Sequence, residues 1–401
     1  MIEDLKKQKN FQFQVSFSKM PFYHKQGKIP AKRHTAFKKE DGSIYYEELV
    51  SREGFSGMYS NLYHLQRPTK ISKVGELIKQ ELIKAESKHR ARHITTANLE
   101  SSGDALSARM PLFFNPDITI SVATITENME YCYRNGTADE VLYIQSGEGK
   151  LISNFGTIQI KPGDYMVIPR GVIWQMSPSE TVRMLVIESA GPVETPNRYR
   201  NRFGQLMEHS PFCERDIQAP QLQEPINNKN ECRVKVKTLH GIQEYTYAHH
   251  PCDVVGWDGY YFPWKISIHD FEPIVGSIHQ PPPVHQTFQG QGFVICSFVP
   301  RLFDFHPDSI PAPYPHSNVD SDEVIYYSRG DFMSRQGIQK ESITLHPMGL
   351  PHGPQPGKYE RSIGKKKTDE LAVMIDTFKP LHVTEAALGI DDKNYPLSWL
   401  N

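Results

Sequence analysis

The sequence has few cysteines, and their arrangement excludes two kinds of site. Its five cysteines, Cys132, Cys213, Cys232, Cys252 and Cys296, are odd in number, widely spaced and form no CxxC pair. Disulfide frameworks and zinc-thiolate sites usually show paired cysteines at short spacing, so the pattern argues against both. We therefore expect reduced thiols in packed positions.

The sequence also lacks net charge and long apolar runs. Lys and Arg number 45 against 46 Asp and Glu, which gives a net charge of -1. Such a chain does not attract nucleic acid or an anionic membrane over a distance. The first residues lack the apolar core of a signal peptide, and no apolar run approaches the length of a membrane span. We expect a soluble, cytoplasmic protein whose partner is a small molecule, with no nucleic acid and no membrane.

Turn-forming and aromatic residues are abundant instead. The 401 residues include 30 Pro, 27 Gly, 19 Tyr and 20 Phe, a composition that suits many short strands joined by turns. Helical periodicity is scarce, with one exception at residues 71–91, where charged and apolar residues recur at helical spacing. The sequence predicts a mostly β fold with few helices, in which residues 1–110 form an N-terminal arm and one helix.

Residues 111–190 contain apolar runs of strand length separated by Gly and Pro turns. The segments DEVLYIQSGEG and KPGDYMVIPRGVIW within them resemble the two halves of the cupin pattern, which implies a small jelly-roll barrel. A metal-binding cupin has histidines before the glutamate and near the end of the second segment. This chain has Tyr131, Tyr133 and Asn135 before Glu140, and Trp174 at the second place. A single carboxylate does not hold a divalent ion. We predict a metal-free barrel, followed by a connector over residues 191–249.

A second strand-rich stretch, residues 250–401, contains the residues that predict chemistry. Its segment DEVIYYSRG repeats DEVLYIQSG of the first barrel, so that Glu323 corresponds to Glu140. His316 precedes Glu323 by seven positions, and His352 follows the next turn. Two imidazoles and a carboxylate on neighbouring strands form the facial triad that binds non-haem Fe(II) and leaves positions open for substrate and oxygen. The same ligands would also accept Mn, Co, Ni or Zn.

Other polar residues in this stretch leave alternatives open. Asp322 adjoins the triad's glutamate and is an alternative metal ligand. His279, His285 and His346 are candidates for a base that deprotonates a chelating substrate. His346 lies only six residues before the second metal histidine, so we expect it behind the metal or against the substrate. Phe332 is a candidate for an aromatic wall of the site or for the core.

Several segments of residues 250–400 are similar to homogentisate 1,2-dioxygenases. They are DVVGWDGYYFPWK, IHQPPP, FVICSFVPR, YPHSNVDSDE, LHPMGLPHGP and ELAVMIDTFKPLHVTEAALGIDDKNYPLSW. LHPMGLPHGP is the most specific of them, and KMPFYHKQGKIPAKRHTAF and GFSGMYSNLYH resemble the family more loosely. The resemblance implies a double cupin with Fe(II) held by His316, Glu323 and His352, and it places His279 at the catalytic acid/base position.

The resemblance also implies an activity. Homogentisate would chelate the iron, and both atoms of O2 would enter the product, maleylacetoacetate, in tyrosine and phenylalanine catabolism. We therefore expect an Fe(II)-dependent ring-cleaving dioxygenase for homogentisate or a closely related hydroquinone acid, in a homo-oligomer that is a trimer or hexamer. The resemblance places His346, His352 and Phe332 at the substrate. The chain departs from the family pattern by one extra residue between the first two metal ligands and by Phe332 in place of a tyrosine.

Two other functions remain open on the sequence alone. One is a cupin that binds a small molecule without turnover. The other is an isomerase or hydrolase that uses Zn or Mn at the same three ligands.

Overall fold

The computed structural model describes residues 22–99, 101–330, 332 and 334–400. Residues 1–21 of the predicted arm therefore lie outside the described residues. The described part contains 28 strands and two short α-helices, as the composition predicted. Among these described elements, no helix has the length and apolar character needed to cross a membrane.

The N-terminal region, up to the first barrel, is a set of short strands. They are β1 (His24–Gly27), β2 (Tyr46–Ser51), β3 (Tyr59–His64), β4 (Ile71–Lys79), β5 (Arg92–Thr95) and β6 (Met110–Phe114).

The first barrel is an eight-stranded jelly roll. Its strands are β7 (Ile118–Ile125), β8 (Cys132–Asn135), β9 (Asp139–Ser146), β10 (Gly149–Ser153), β11 (Gly156–Ile160), β12 (Asp164–Ile168), β13 (Ile173–Pro178) and β14 (Val182–Ser189). One sheet contains the order β7-β14-β9-β12 and the other the order β8-β13-β10-β11. Apart from the β10–β11 hairpin, consecutive strands thus belong to opposite sheets, which is the connectivity of a jelly roll.

The connector and the second barrel supply the remaining elements. The strands are β15 (Cys232–Thr238), β16 (Gly241–Tyr247), β17 (Val254–Gly259), β18 (Trp264–Ser267), β19 (Gln286–Gly290), β20 (Phe293–Phe298), β21 (Arg301–Leu302), β22 (His316–Ser317), β23 (Asp322–Arg329), β24 (Ser342–His346), β25 (Pro351–His352), β26 (Lys367–Thr368), β27 (Leu371–Thr377) and β28 (His382–Val383). The helices are α1 (Lys358–Ser362) and α2 (Glu385–Gly389), and short 3-10 turns cover Thr96–Asn98, Asn197–Tyr199, Glu214–Asp216, Ile268–Asp270, Pro282–His285 and Tyr395–Leu397.

The second barrel repeats the jelly-roll connectivity in reduced form. Its main sheet contains the order β20-β27-β23-β24, which matches β7-β14-β9-β12 of the first barrel. The opposite sheet is represented by two short pairs, β21 with β26 and β22 with β25. The duplicated cupin fold predicted from the repeated DEV segments is therefore confirmed.

The predicted helix over residues 71–91 is wrong. Residues 71–79 form strand β4, and residues 80–88 have no regular structure. The backbone of β4 pairs with β16, with Tyr245 opposite Val74 and Ile242 opposite Ile78. This ladder with a strand that lies far away in the sequence overrides the local helical spacing.

The predicted domains are not separate in the structure, because strands of one domain pair with strands of another. β18, which lies in the predicted second domain, pairs with β12 of the first barrel. β28 near the C-terminus pairs with β6, and β5 of the N-terminal region pairs with β24 of the second barrel. One buried apolar core runs through both barrels. At their contact the Tyr143 hydroxyl donates to Ser328 Oγ at 2.8 Å.

Candidate metal centre

His316, Glu323 and His352 converge at one end of the second barrel because the strand register brings them there. β22 and β25 pair with His316 directly opposite His352. Glu323 is the second residue of β23 and lies opposite His346 on β24. Residues 36 positions apart, from 316 to 352, thus become neighbours through two ladders.

The three side chains face one another across a small gap. His316 Nε2 lies 3.8 Å from one Glu323 oxygen, and His352 Nε2 lies 3.5 Å from the other. The two imidazole centroids are 4.3 Å apart. One ligand atom from each residue lies within 4.8 Å of the others. These separations exceed those of good hydrogen bonds and suit three ligands that share one ion.

A buried nitrogen without a hydrogen-bond partner indicates that a metal fits between the three side chains. His352 Nε2 is buried and has no hydrogen-bond partner among the described residues. A buried polar atom without a partner is costly, and an ion between the three ligands would satisfy it. Burial alone raises the pKa of Glu323, but its interactions with the surrounding imidazoles hold that pKa well below its usual value. Glu323 is therefore an anion ready to bind a cation, and the donor set fits a divalent metal.

The alternative carboxylate, Asp322, has other partners. Its Oδ1 accepts the amide N–H of Met348 at 2.7 Å, and its Oδ2 accepts that of Leu381 at the same distance. Both oxygens thus support neighbouring loops. The geometry favours Glu323 as the metal ligand, and the longer spacing from His316 is accommodated in the turn before β23.

His346 lies behind the three ligands. It contacts Glu323 Oε1 through Nδ1 at 2.8 Å and the Tyr395 hydroxyl through Nε2 at 3.1 Å, and its ring stacks on His352 at 4.6 Å. Burial, with the nearby charge of Arg335, lowers the pKa of His346 to about 4. A neutral ring in this place donates Nδ1–H to Glu323 and accepts from Tyr395. This arrangement orients a metal ligand from behind.

A cavity of about 350 Å³ opens beside the centre. Its polar and aromatic walls include His279, His285, Arg301, His316, Glu323, Tyr327, Phe332 and Arg335. Of the residues predicted at the substrate, Phe332 lines this cavity. His346 and His352 are not among the described residues that do.

Two of the three candidate bases, His279 and His285, line the cavity but differ in environment. The side chain of His279 is 30% exposed, and its Nδ1 lies 4.0 Å from an Asp304 oxygen. Burial lowers the pKa of His279, and Asp304 opposes this shift. His285 is buried, its Nδ1 has no partner among the described atoms, and burial lowers its pKa to about 3.

Sequence reasoning missed the two arginines of the cavity. Arg335 is buried, donates from Nη1 to the Gly353 carbonyl at 2.8 Å, and its Nε has no partner in the described part of the chain. Arg301 is paired with Glu370 at 3.1 Å. Both arginines stand in or beside loops, and no spacing pattern distinguishes them from surface arginines before the fold is known.

The first barrel has a counterpart of the centre without histidines. Tyr133 pairs with Trp174 as His316 pairs with His352, and Glu140 stands seven residues after Tyr133. Arg109 Nη1 contacts Glu140 at 2.5 Å, and its guanidinium carbon lies 5.5 Å and 5.9 Å from the two aromatic rings. Trp174 donates to the other Glu140 oxygen at 3.1 Å. A guanidinium thus stands where the second barrel would hold an ion.

The amino-acid sequence of this chain is similar to those of several known dioxygenases. The family model "Homogentisate 1,2-dioxygenase N-terminal" matches residues 105–268. A protein of Saccharolobus solfataricus named "putative dioxygenase" is 45% identical over 95% of this chain and 99% of its own length. Homogentisate 1,2-dioxygenase of Nitrobacter hamburgensis is 29% identical, over 67% of this chain and 62% of that enzyme. This chain thus spans less than two thirds of the length of the Nitrobacter enzyme. A cupin 2 conserved barrel domain protein from Leptotrichia buccalis aligns with 76% of this chain and all of its own, at a TM-score of 0.34 and 11% identity.

Proposed function

Because this chain belongs to the homogentisate 1,2-dioxygenase family, we propose that it is an Fe(II)-dependent ring-cleaving dioxygenase. Its substrates are O2 and homogentisate or a closely related hydroquinone acid. With homogentisate the product is maleylacetoacetate, formed in tyrosine and phenylalanine catabolism. The observation that carries the proposal is the convergence of His316, Glu323 and His352 beside the cavity.

The three ligands would hold the ion on one face only. Fe(II) bound in this way supplies coordination positions at which an aromatic substrate and O2 meet. Glu323 compensates part of the ion's charge, and His346 fixes the orientation of Glu323 through the 2.8 Å contact. We assign His346 a positioning role, since it stands behind the ligands.

The charges of the cavity favour an anionic substrate. Arg335 is a buried cation whose Nε has no partner among the described residues, whereas Arg301 is neutralised by Glu370. A substrate carboxylate would pair with the Arg335 guanidinium, and a planar ring would pack against the nearby aromatic residues Tyr327 and Phe332. Phe332 provides a wall but no hydroxyl donor.

His279 is the better placed of the two bases. Its lowered pKa keeps the imidazole neutral at pH 7, so that it can accept a proton from a substrate hydroxyl, and Asp304 nearby stabilises the imidazolium that results. His285, whose pKa of about 3 makes it a very weak base, serves this step poorly.

The decisive measurement is oxygen uptake by the Fe(II)-loaded protein with homogentisate, gentisate and other dihydroxy aromatic acids. We expect one iron per chain, uptake with homogentisate or a near relative, and a product with new near-ultraviolet absorbance. His279→Gln should keep the iron and lose turnover. Iron-replete protein that consumes no oxygen with any of these acids would refute the proposal. Zinc in place of iron at His316, Glu323 and His352, without oxygen uptake, would favour an isomerase or hydrolase.

We also propose that the protein is a homo-oligomer. Among the described residues, β4 is the edge strand of its sheet, and its apolar side chains are exposed, including Val74 at 67% and Ile78 at 54%. An apolar strand at an open sheet edge is a site at which another chain can pair. A trimer or hexamer, as the family resemblance implies, would cover it.

A further inference from the structure

Three side chains far apart in the sequence form a second cluster, on the first barrel. Cys132 begins β8, Cys232 begins β15, and His250 lies in the loop between β16 and β17. Their ligand atoms all lie within 4.8 Å of one another. We propose that this cluster is a structural zinc site, separate from the metal centre of the second barrel. All five thiols are free, as expected, but the fold brings two of them together with a histidine, which the cysteine spacing did not predict.

Strand pairing fixes the two cysteines side by side. β8 and β15 run parallel, and Cys132 lies opposite Val234, two residues after Cys232. Because side chains alternate along a strand, both thiols point to the same face of the sheet. This is the face opposite to Tyr133, which belongs to the interior of the barrel.

The distances suit tetrahedral zinc. The two sulfur atoms are 3.8 Å apart, and Cys132 Sγ lies 3.9 Å from His250 Nε2. Zinc–sulfur bonds of about 2.3 Å at tetrahedral angles put two sulfur ligands about 3.8 Å apart, as observed for this pair. The sulfur atoms are much farther apart than in a disulfide, where they are separated by about 2.05 Å.

Cys252 is the best candidate for the fourth ligand. It follows His250 by two residues in the same loop. Its backbone amide donates to His250 Nδ1 at 3.1 Å, which places Cys252 beside the cluster. Its thiol is not among the three ligand groups that lie within 4.8 Å of one another, so the loop would have to move to bring it to the ion. Gln175 Oε1, 3.8 Å from Cys132 Sγ, is a poorer choice because zinc favours sulfur and imidazole ligands. Three thiolates and one imidazole would form a closed site with no position for a substrate.

The position of the site suggests its role. It would join the first barrel through β8, the connector through β15, and the loop that leads into the second barrel. Zinc at His250 Nε2 leaves the remaining ring proton on Nδ1, which now accepts the Cys252 amide at 3.1 Å. Binding must therefore open this contact and shift the loop.

Cobalt substitution tests the site, because thiolate ligands give Co(II) an intense near-ultraviolet charge-transfer absorbance that imidazole and carboxylate ligands do not. The full-length protein is loaded with Co(II) under reducing conditions. We expect this absorbance in the wild type and in His352→Ala, at one thiolate-bound ion per chain. Cys232→Ser and Cys252→Ser should lose it, and their zinc content should fall by one ion per chain. Cys213→Ser is the matched control, since Cys213 lies outside the cluster, and it should behave as the wild type.

Three results would overturn the proposal. One is the absence of thiolate–cobalt absorbance in the wild type, and the second is equal absorbance and zinc content in the wild type and Cys232→Ser. The third is a Cys132–Cys232 disulfide, detected by mass spectrometry, in protein whose cysteines bind no metal. Circular dichroism of each variant separates loss of the site from loss of the fold.

Discussion

At the scale of single residues, the proposed iron centre depends on one buried nitrogen. His352 Nε2 has no partner among the described residues and faces Glu323 at 3.5 Å. We expect His352→Ala to abolish iron retention, because the two remaining ligands cannot enclose the ion. Iron content after gel filtration measures this effect.

A matched control uses a histidine without a role in the centre. His240 is exposed in the turn between β15 and β16. His240→Ala should keep one iron per chain. Normal iron content in His352→Ala would show that the metal lies elsewhere.

A second residue-scale prediction concerns pH. Burial favours neutral His64, but hydrogen bonds to Asp253 and Glu48 outweigh burial and raise its pKa to about 9. Because the folded pKa exceeds the unfolded value, this charge stabilises the protein fully below about pH 6.5, and the stabilisation is lost as pH rises through 9. The shift corresponds to roughly 3 kcal/mol.

Melting temperatures between pH 6.5 and 9.5 measure this effect. The wild type should lose more stability over this window than His64→Gln, which has no proton to release there. Parallel curves for the two proteins would contradict the assignment.

The three residues of the metal centre could be predicted from the sequence, whereas the cluster of Cys132, Cys232 and His250 could not. His316, Glu323 and His352 lie in one short segment, and the DEV repeat locates the glutamate. Cys132 and Cys232 are 100 positions apart, and only the parallel pairing of β8 with β15 makes them neighbours. Such a ladder leaves no spacing pattern in the sequence.

At the scale of elements, each barrel contains a buried glutamate at the corresponding place, and the two barrels compensate its charge differently. In the first barrel Arg109 neutralises buried Glu140 beside Trp174. We expect Arg109→Ala to destabilise the protein by about 3 to 5 kcal/mol, because it leaves a buried carboxylate without its cation. The double variant Arg109→Met with Glu140→Gln should recover part of the loss.

Urea unfolding curves of these variants test the assignment. Arg202→Ala, which changes an exposed arginine, is the control and should unfold as the wild type does. A double variant as unstable as Arg109→Ala would show that the charge pair is not the cause.

Some elements could be predicted from local patterns and others could not. The strands of both barrels follow from short apolar runs between glycine and proline turns. Residues 71–91 have helical spacing, yet β4 forms because β16 offers it a ladder from more than 160 positions away. Where a distant strand satisfies the backbone hydrogen bonds of a segment, that pairing determines its secondary structure and the local spacing of apolar residues does not.

At the scale of the whole molecule, the open edge of β4 predicts self-association. Replacing Val74 and Ile78 by lysine should split the proposed oligomer, since charges at an exposed strand edge block pairing with another chain. Light scattering after gel filtration measures the mass. Phe55→Lys removes an even more exposed apolar side chain elsewhere and should leave the mass unchanged. A wild type that is monomeric would contradict the prediction.

The exchange of strands between the barrels also determines when the protein can finish folding. β5 emerges from the ribosome about 250 residues before its partner β24, and β6 must wait for β28 near the end of the chain. Neither barrel can complete its sheets until strands from both halves have been synthesised, because each contains a strand from the other half. The nascent first barrel therefore carries an unpaired edge at β6 until β28 has emerged from the ribosome.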